Sequence, residues 1–281
     1  MAITTGIPWC KSTFNPWSGC TPVGPGCDHC FARARDHRFF AGAHWGPGAP
    51  RSLSSDRYWA EPFKWDRKAA QTGEFWPVFC SSQADIFDNE VPQEWQDRLW
   101  ALIRHTPHLT WILVTKRIGN AQRMLPGDWG AGYRNVWLVS TVVTQEEAHR
   151  DIGKLLAIPA PVRGVSIEPM LGPIDLGPWM RPSRSAATGR LAPHRHLDWV
   201  IVGGESRQGA PAREFRLEWA YDLVAQCILG GVPAFVKQMG HNPTFRGERV
   251  YFTGKGDNPL EWPARLRRFE FPFGLSMLKA A

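Results

Sequence analysis

The sequence predicts an α/β fold built on a parallel sheet, closed or partly closed like a (β/α) barrel. Short apolar runs rich in Val, Ile and Trp alternate with amphipathic stretches along most of the chain. The runs are apolar throughout rather than at alternate positions, which is typical of parallel strands buried on both faces. Strand and helix repeated six or seven times indicate a barrel-like fold, with an open doubly wound sheet as the alternative.

Six apolar runs are predicted to be strands, and a further strand is expected near the N-terminus at Ile7–Cys10. In chain order the six are Trp76–Cys80, Trp111–Thr115, Val136–Ser140, Gly164–Ile167, Trp199–Val202 and Pro233–Val236. Each has the length of an ordinary strand and is followed by polar residues or glycine, so each is expected to end where a loop begins.

Three helices are predicted from apolar residues that recur at helical spacing. They cover Gln93–Arg104, Gln145–Leu156 and Arg213–Leu229. The last is expected to end at Gly230–Gly231, because glycine readily adopts the left-handed conformation that closes a helix. We find no internal repeat and no second domain in the sequence, so residues 1–281 are predicted to form a single domain.

The net charge and the cysteine content predict the kind of partner and the cellular compartment. The formal net charge is +7, which favours a polyanionic partner, with nucleic acid ahead of a membrane or an acidic protein. The N-terminus has no signal-peptide pattern, and no apolar run has the length of a membrane span. Six cysteines without a secretion signal indicate a reducing compartment, so we expect a cytoplasmic protein.

One segment, at about 178–196, lacks the periodicity of the rest and is predicted to be an exposed basic insertion. Its four arginines are the expected contacts to nucleic-acid phosphates: Arg181, Arg184, Arg190 and Arg195. The alternative is that the insertion only keeps the protein soluble.

Polar side chains and glycines follow the predicted strands. Active sites of barrels and open parallel sheets form at the carboxyl ends of the strands, so we expect these residues to share a cofactor site. The candidates are Ser82, Lys116, Ser140, Glu168, Gly203, Gly204, Glu205 and Lys237. Taken singly, each has a structural interpretation, such as a capping carboxylate for Glu168. Walker, G-x-G-x-x-G and H-E-x-x-H motifs are absent, and the catalytic residues are not assigned.

The segment NPWSGCTPVGPGCDHCFA carries three cysteines at the spacing C-x6-C-x2-C. They are Cys20, Cys27 and Cys30. A structural zinc site takes four protein ligands, and the possible fourth ligands, Cys10, His29 and His37, have no convincing spacing. An iron–sulfur cluster on three cysteines instead leaves one iron open to a substrate or cofactor. Enzymes in which a [4Fe–4S] cluster binds and reductively cleaves S-adenosylmethionine (SAM) need such an open iron.

Seven motifs in order resemble a known family: NPWSGCTPVGPGCDHCFA, QADIFD, LVTKR, NVW, SIEPMLGPI, DWVIVGGES and VPAFVKQMG. From about Trp9 to Gly240 the chain is similar to the phage and bacterial three-cysteine-motif family related to radical SAM enzymes. The resemblance implies a partial barrel of the radical SAM type, with Cys20, Cys27 and Cys30 as cluster ligands. The common radical SAM pattern is C-x3-C-x2-C with an aromatic residue before the last cysteine, whereas here the first gap is six.

The resemblance also implies a substrate. Some members of that family look to be encoded beside phage enzymes that build hypermodified thymidine, so the implied reaction is a radical rearrangement, such as an isomerisation, of an amino-acid-decorated thymidine in DNA. An electron donor such as flavodoxin or ferredoxin would be required, and a phage-encoded protein would work in the host cytoplasm. The alternatives are radical repair of a DNA lesion, a radical SAM enzyme for a metabolite, and a zinc-binding nucleic-acid module without catalysis.

Overall fold

The structure is a computed structural model, and it describes residues 5–180 and 196–277. Its strands are β1 (Ser12–Thr13), β2 (Trp17–Ser18), β3 (Ser52–Leu53), β4 (Pro77–Cys80), β5 (Thr110–Thr115), β6 (Val136–Thr141), β7 (Val162–Ile167), β8 (Trp199–Gly203), β9 (Phe215–Arg216), β10 (Ala234–Gln238), β11 (Pro243–Phe245) and β12 (Glu248–Arg249). Its α-helices are α1 (Phe31–Phe40), α2 (Asp56–Trp59), α3 (Glu61–Thr72), α4 (Gln93–Arg104), α5 (Ile118–Met124), α6 (Gln145–Leu156), α7 (Gly177–Met180) and α8 (Leu217–Gly230).

Seven strands form one parallel sheet in the order β1-β4-β5-β6-β7-β8-β10. Strands β1 and β10 are its edges, so the sheet is open. It is curled into a half-barrel flanked by helices, and the predicted α/β partial barrel is confirmed. Every residue of β6, β7 and β8 is buried, as their continuous apolar sequence predicts. Two small sheets, β12-β11-β9 and β2-β3, complete the strands of the described residues.

The six predicted strands are present with slightly different ends, but the strand expected at Ile7–Cys10 is wrong. That segment forms a turn in which the amide of Cys10 donates to the carbonyl of Ile7 at 3.3 Å. Pro8 favours a turn because its ring fixes φ and it has no N–H to donate to a sheet. The first strand of the parallel sheet is instead β1, whose residues Ser12 and Thr13 pair with β4.

The predicted helices Gln93–Arg104 and Gln145–Leu156 are present with those bounds as α4 and α6. The third begins at Leu217 rather than Arg213, because Phe215 and Arg216 pair with β11 as the strand β9. It ends as expected, with Gly231 in the left-handed region at φ 67°. The pattern did not predict α1, whose sequence FARARDHRFF has no apolar stripe.

Contact density divides the chain into two compact units. Among the described residues, the first comprises 5–139, 159–161 and 276–277, and the second comprises 140–158, 162–180 and 196–275. In the first unit, Phe14 packs edge-on against Trp59 at a centroid distance of 5.4 Å. In the second, Trp199 stacks on Phe271 at 5.5 Å. The expectation that the whole chain forms one domain stays a prediction.

Two further expectations concern the basic insertion and membrane-spanning segments. The arginine-rich segment that carries Arg181, Arg184, Arg190 and Arg195 lies outside the described residues. Within residues 5–180 and 196–277, no helix combines the length and the apolar character that crossing a bilayer requires.

Candidate functional site

Three of the cysteines of the first unit, Cys20, Cys27 and Cys30, lie in one segment between β2 and α1, which we call the cysteine loop (Cys20–Cys30). Cys27 ends a 3-10 turn that begins at Pro25, and Cys30 immediately precedes the first residue of α1. None of the three forms a disulfide. Cys27 is buried and the other two are half-buried. The loop therefore holds three free thiols within eleven consecutive residues.

The chain enters the cysteine loop through a glycine that no other residue replaces easily. Gly19 has φ 107°, and a Cβ at this position would lie 2.5 Å from the backbone carbonyl oxygen of His44. Both the left-handed backbone and the close approach favour glycine. The carbonyl of Cys20 accepts a hydrogen bond from the amide of Gly46 at 3.0 Å. The backbone at Gly19 and Cys20 is thus held against the segment that carries His44 and Gly46.

A buried ion-pair network supports the residue after Cys20. The Nε atom of Arg51 donates to Asp88 Oδ2 at 2.9 Å, and its Nη2 atom donates to Thr21 Oγ1 at 3.0 Å. Nη2 also lies 3.1 Å from Glu90 Oε2. The side chains of Arg51 and Asp88 are 1% and 0% exposed. Buried charges are tolerated when they are paired and hydrogen-bonded, as these are.

A second arginine of this unit reaches the cysteine loop from the end of β5. Arg117 Nη2 donates to the carbonyl of Thr21 at 2.6 Å and lies 4.0 Å from Cys20 Sγ. Burial, followed by the charge of Asp85, raises the pKa of the Cys20 thiol, and Arg117 opposes both effects; the net pKa is about 12. The metal-free thiol is therefore protonated at neutral pH, and a metal would have to displace that proton to bind.

Sequence reasoning selected Lys116 from the motif LVTKR, whereas the structure brings its neighbour Arg117 to the cysteine loop. The backbone amide of Lys116 donates to Asp85 Oδ2 at 2.9 Å. Its ammonium group has no hydrogen bond or ion pair within the described residues. The sequence offers no signal that separates two adjacent cations, because which of them faces the loop depends on how the strand ends.

Ser82, another candidate of the first unit, is held by Asn15. The Oδ1 atom of Asn15 accepts from the Ser82 amide at 2.8 Å, the Ser82 hydroxyl at 3.2 Å and the Gln83 amide at 3.0 Å. Gln83 in turn accepts from Arg35 of α1 at 2.8 Å. Ser82 thus belongs to the turn after β4 that positions α1, and its hydroxyl is already engaged.

The cysteine loop offers three thiols as possible metal ligands. Within the described residues, no three side chains of His, Cys, Asp or Glu are placed to hold a single metal ion. A [4Fe–4S] cluster takes each cysteine on a different iron. Three free thiols on one loop, with a guanidinium beside one of them, fit the chemistry of a cluster.

In the second unit, three predicted residues come together on neighbouring strands. Glu168 follows β7, Gly203 ends β8, and Lys237 lies in β10. Lys237 Nζ is 2.9 Å from Glu168 Oε1, an ion pair without hydrogen-bond geometry. A Cβ at position 203 would lie 3.1 Å from the same oxygen, so glycine leaves room for the carboxylate.

The other oxygen of Glu168 contacts a residue that sequence reasoning did not select. Ser166 donates its hydroxyl to Glu168 Oε2 at 3.2 Å. Because Oε1 has no hydrogen-bond donor among the described residues, the carboxylate keeps the capacity to accept from a ligand. The side chains of Glu168 and Lys237 are 14% and 21% exposed, but Oε1 itself is buried beside Lys237 Nζ.

Gly204 and Glu205 have different surroundings from Gly203. A Cβ on Gly204 would lie 2.2 Å from the carbonyl oxygen of Met239, so glycine is required here for backbone packing. Glu205 is buried and accepts from the backbone amide of Arg213 at 2.9 Å and from its Nε at 3.2 Å. The structure therefore gives Glu205 a protein partner.

Ser140, also in the second unit, is fully buried in β6. Its hydroxyl has no hydrogen-bond partner among the described residues. Buried hydroxyls are usually satisfied, so an unsatisfied one at a strand end is compatible with a ligand or water contact.

Comparison with known proteins assigns the chain to a family. The model of a family described as "Protein of unknown function (DUF5131)" matches residues 4–258. The chain belongs to that family. No curated protein and no solved structure matches it.

The matched part of this DUF5131 chain contains both groups of residues described above. It includes the whole cysteine loop of the first unit and the Glu168, Gly203 and Lys237 group of the second. The DUF5131 description carries no activity, so the chemistry has to be argued from the residues themselves.

Proposed function

We propose that this protein is a radical SAM enzyme that rearranges a modified base in DNA. Cys20, Cys27 and Cys30 would hold a [4Fe–4S] cluster, and SAM would be the second cofactor. The observation that carries the proposal is that three free thiols share one loop between the first strand and the first helix of a parallel half-barrel. Three cysteine ligands leave one iron open for the cofactor.

When bound, the cluster supplies the electron that cleaves SAM to a radical, and a flavodoxin or ferredoxin would reduce it. The chain's own residues would bind and orient the cofactors. Arg117 offsets negative charge beside Cys20. Glu168, whose Oε1 atom has an ion pair but no hydrogen-bond donor within the described residues, would accept from the ammonium group or the ribose hydroxyls of SAM. Lys237 would fix the position of that carboxylate.

The DNA substrate rests on two kinds of support. One is the resemblance to proteins encoded beside thymidine-modifying enzymes, and the other is the net charge of +7. A base in a duplex is stacked and paired, so an enzyme that performs chemistry on it must extrude the base or accept single strands.

The cluster is tested by anaerobic purification followed by measurement of iron, acid-labile sulfide and zinc. We expect iron and sulfide in the parent and their loss in Cys20→Ala, Cys27→Ala and Cys30→Ala. Cys227→Ala is the matched control, because Cys227 is a buried thiol of α8 in the second unit. Zinc without iron in the parent, or full iron content in the three loop variants, would contradict the cluster and favour the zinc-binding module.

Arg117 and its neighbour Lys116 provide a finer test of the proposed cluster site. Arg117→Gln removes the guanidinium beside Cys20, and substitutions of groups around metal ligands typically cost about 10–100-fold in metal affinity. We expect faster loss of iron to a chelator in this variant. Lys116→Gln changes the net charge equally at the neighbouring position and should retain iron like the parent. Equal retention in both variants would remove Arg117 from the centre.

The radical chemistry is tested on the iron-loaded protein with SAM and dithionite. We expect 5′-deoxyadenosine to form, and to be absent from the Cys20→Ala variant. An iron-loaded protein that binds a cluster but yields no 5′-deoxyadenosine, with or without DNA, would overturn the SAM-cleaving activity.

A further inference from the structure

Helix α1 presents three phenylalanines to solvent. Phe31, Phe39 and Phe40 are 52%, 60% and 48% exposed. Phe31 and Phe39 share one side of the helix with Arg35 and Arg38, and these four residues form what we call the α1 surface. Phe40 lies on the other side and packs edge-on against His44. Exposed phenylalanine rings beside basic residues on one helix indicate a binding surface.

Two arginines flank the most exposed of these rings. The guanidinium carbons of Arg35 and Arg38 lie 5.4 Å and 5.3 Å from the centroid of Phe39. Arg35 also donates to Gln83 at 2.8 Å, which fixes its orientation. The ring and both cations are therefore presented as one group.

The accessible charge of α1 is entirely positive. The only carboxylate of the helix, Asp36, is buried and bonded to Nδ1 of His44 at 2.8 Å. The helix sequence FARARDHRFF contains no acidic residue besides Asp36, and it contains three arginines, Arg33, Arg35 and Arg38. A partner that covers this helix must bring negative charge as well as flat apolar groups.

We infer that the α1 surface binds single-stranded nucleic acid, with bases stacked on the phenylalanines and phosphates paired with the arginines. Aromatic rings interleaved with basic residues bind single strands without strong sequence preference. A duplex hides its base faces, so the rings favour an unpaired strand. An acidic protein matches the charge but provides fewer flat rings to stack on Phe39.

The inference rests on the proposed function only in taking the bound strand to be the substrate. Because α1 begins directly after Cys30, a strand on this surface would run beside the cysteine loop of the same unit. Binding itself needs no cluster, so the two proposals can fail separately.

The test measures fluorescence anisotropy of a labelled oligothymidylate with the purified full-length chain at several salt concentrations. Phe39→Ala should weaken binding about tenfold, a usual effect of removing one stacking ring. Arg38→Gln should lower the slope of log affinity against log salt by about 0.7, as expected for one lost phosphate contact to a single strand.

Helix α3 offers matched controls in the same unit. Phe63 is 40% exposed and Arg67 is exposed one helical turn later. Phe63→Ala and Arg67→Gln repeat the two changes away from the α1 surface and should bind the oligonucleotide like the parent. Far-UV circular dichroism and urea unfolding establish that all four variants are folded.

The outcomes separate this inference from its rivals. Unchanged affinity in folded Phe39→Ala, equal losses in Phe63→Ala, or tighter binding of the oligothymidylate–oligoadenylate duplex would overturn it. Displacement of the oligonucleotide by polyglutamate, at a concentration that matches it in charge, would assign the surface to an acidic protein. Cys20→Ala should still bind the strand, and Phe39→Ala should still retain iron. A failure to bind iron would therefore contradict the proposed function without contradicting the binding of single strands to the α1 surface.

Discussion

The cysteine loop of the first unit and the strand ends of the second hold polar groups in opposite ways. Around the loop, Arg51 and Asp88 are almost fully buried and bonded to each other, and they fix a backbone that carries free thiols. At the strand ends, β7 and β10 fix the backbone, and the side chains of Glu168 and Lys237 keep some exposure. In the first region the buried charges of Arg51 and Asp88 stabilise the fold. In the second, the Glu168–Lys237 ion pair keeps partial exposure next to the strand ends.

This difference has an energetic consequence. Removing one member of a buried ion pair leaves an uncompensated charge, whereas removing an exposed one costs little. Substitution of Asp88 should therefore act mainly on stability, whereas substitution of the half-buried Glu168 should cost less stability and act mainly on binding.

The largest effect is expected from Asp88→Asn. This change removes the carboxylate that accepts from Arg51 at 2.9 Å and leaves the buried guanidinium with Glu90 as its remaining acid. We expect the free energy of unfolding to fall by about 3–5 kcal/mol. Urea unfolding followed by tryptophan fluorescence measures the loss.

Asp56→Asn is the control for this prediction. Asp56 also pairs with an arginine, Arg98, at 2.6 Å, but its side chain is 88% exposed. We expect a change within about 1 kcal/mol. If both variants lose the same stability, the burial of the Arg51–Asp88 pair does not distinguish the two regions.

The sequence predicted the sheet better than the loop network, for a physical reason. Strands such as β6 and β8 are buried on both faces, so their own residues carry the signal. The Arg51–Asp88 pair joins residues 37 positions apart, and no local pattern marks it. Helix α1 escaped prediction because its phenylalanines point to solvent, so it lacks the apolar stripe by which helices are recognised.

The second expected effect concerns the backbone of the strand-end region. In Gly204→Ala the new methyl group would lie 2.2 Å from the carbonyl oxygen of Met239, which the backbone must move to accommodate. Overpacking typically costs about 1–3 kcal/mol, and a clash with backbone belongs at the upper end. Thermal unfolding of the variant measures the loss.

Gly153→Ala is its matched control, because Gly153 lies in α6 of the same unit with no atom near its missing Cβ. Alanine there should stabilise the protein by about 0.5–1 kcal/mol. Opposite signs for the two variants support close packing at Gly204. A neutral Gly204→Ala variant would return this glycine to the candidates for direct cofactor contact.

Among the candidate residues, the sequence identified strand ends but not which side chains are available there. Glu168 and Glu205 look alike in sequence, since both carboxylates follow an apolar run. The structure separates them, because Arg213, eight residues later, folds back to bind Glu205. Such a pairing depends on the path of the loop, which has no periodic pattern from which it could be predicted.

The smallest expected effect is also the one that tests the availability of Glu168 most directly. Glu168→Gln keeps the size and the hydrogen bond with Ser166 but removes the charge that faces Lys237. If Oε1 accepts from SAM, the affinity for SAM should fall about tenfold, as expected for loss of a charged acceptor. Anaerobic equilibrium dialysis of SAM against iron-loaded protein gives the dissociation constant, and the iron content should stay at the parent's level.

Glu205→Gln provides the comparison: it removes a carboxylate already bound by Arg213, so it should lower stability and leave SAM affinity unchanged. An unchanged dissociation constant in Glu168→Gln, or an equal loss in both variants, would mean that the Glu168–Lys237 pair serves the fold and that the contrast between the two regions does not extend to ligand binding.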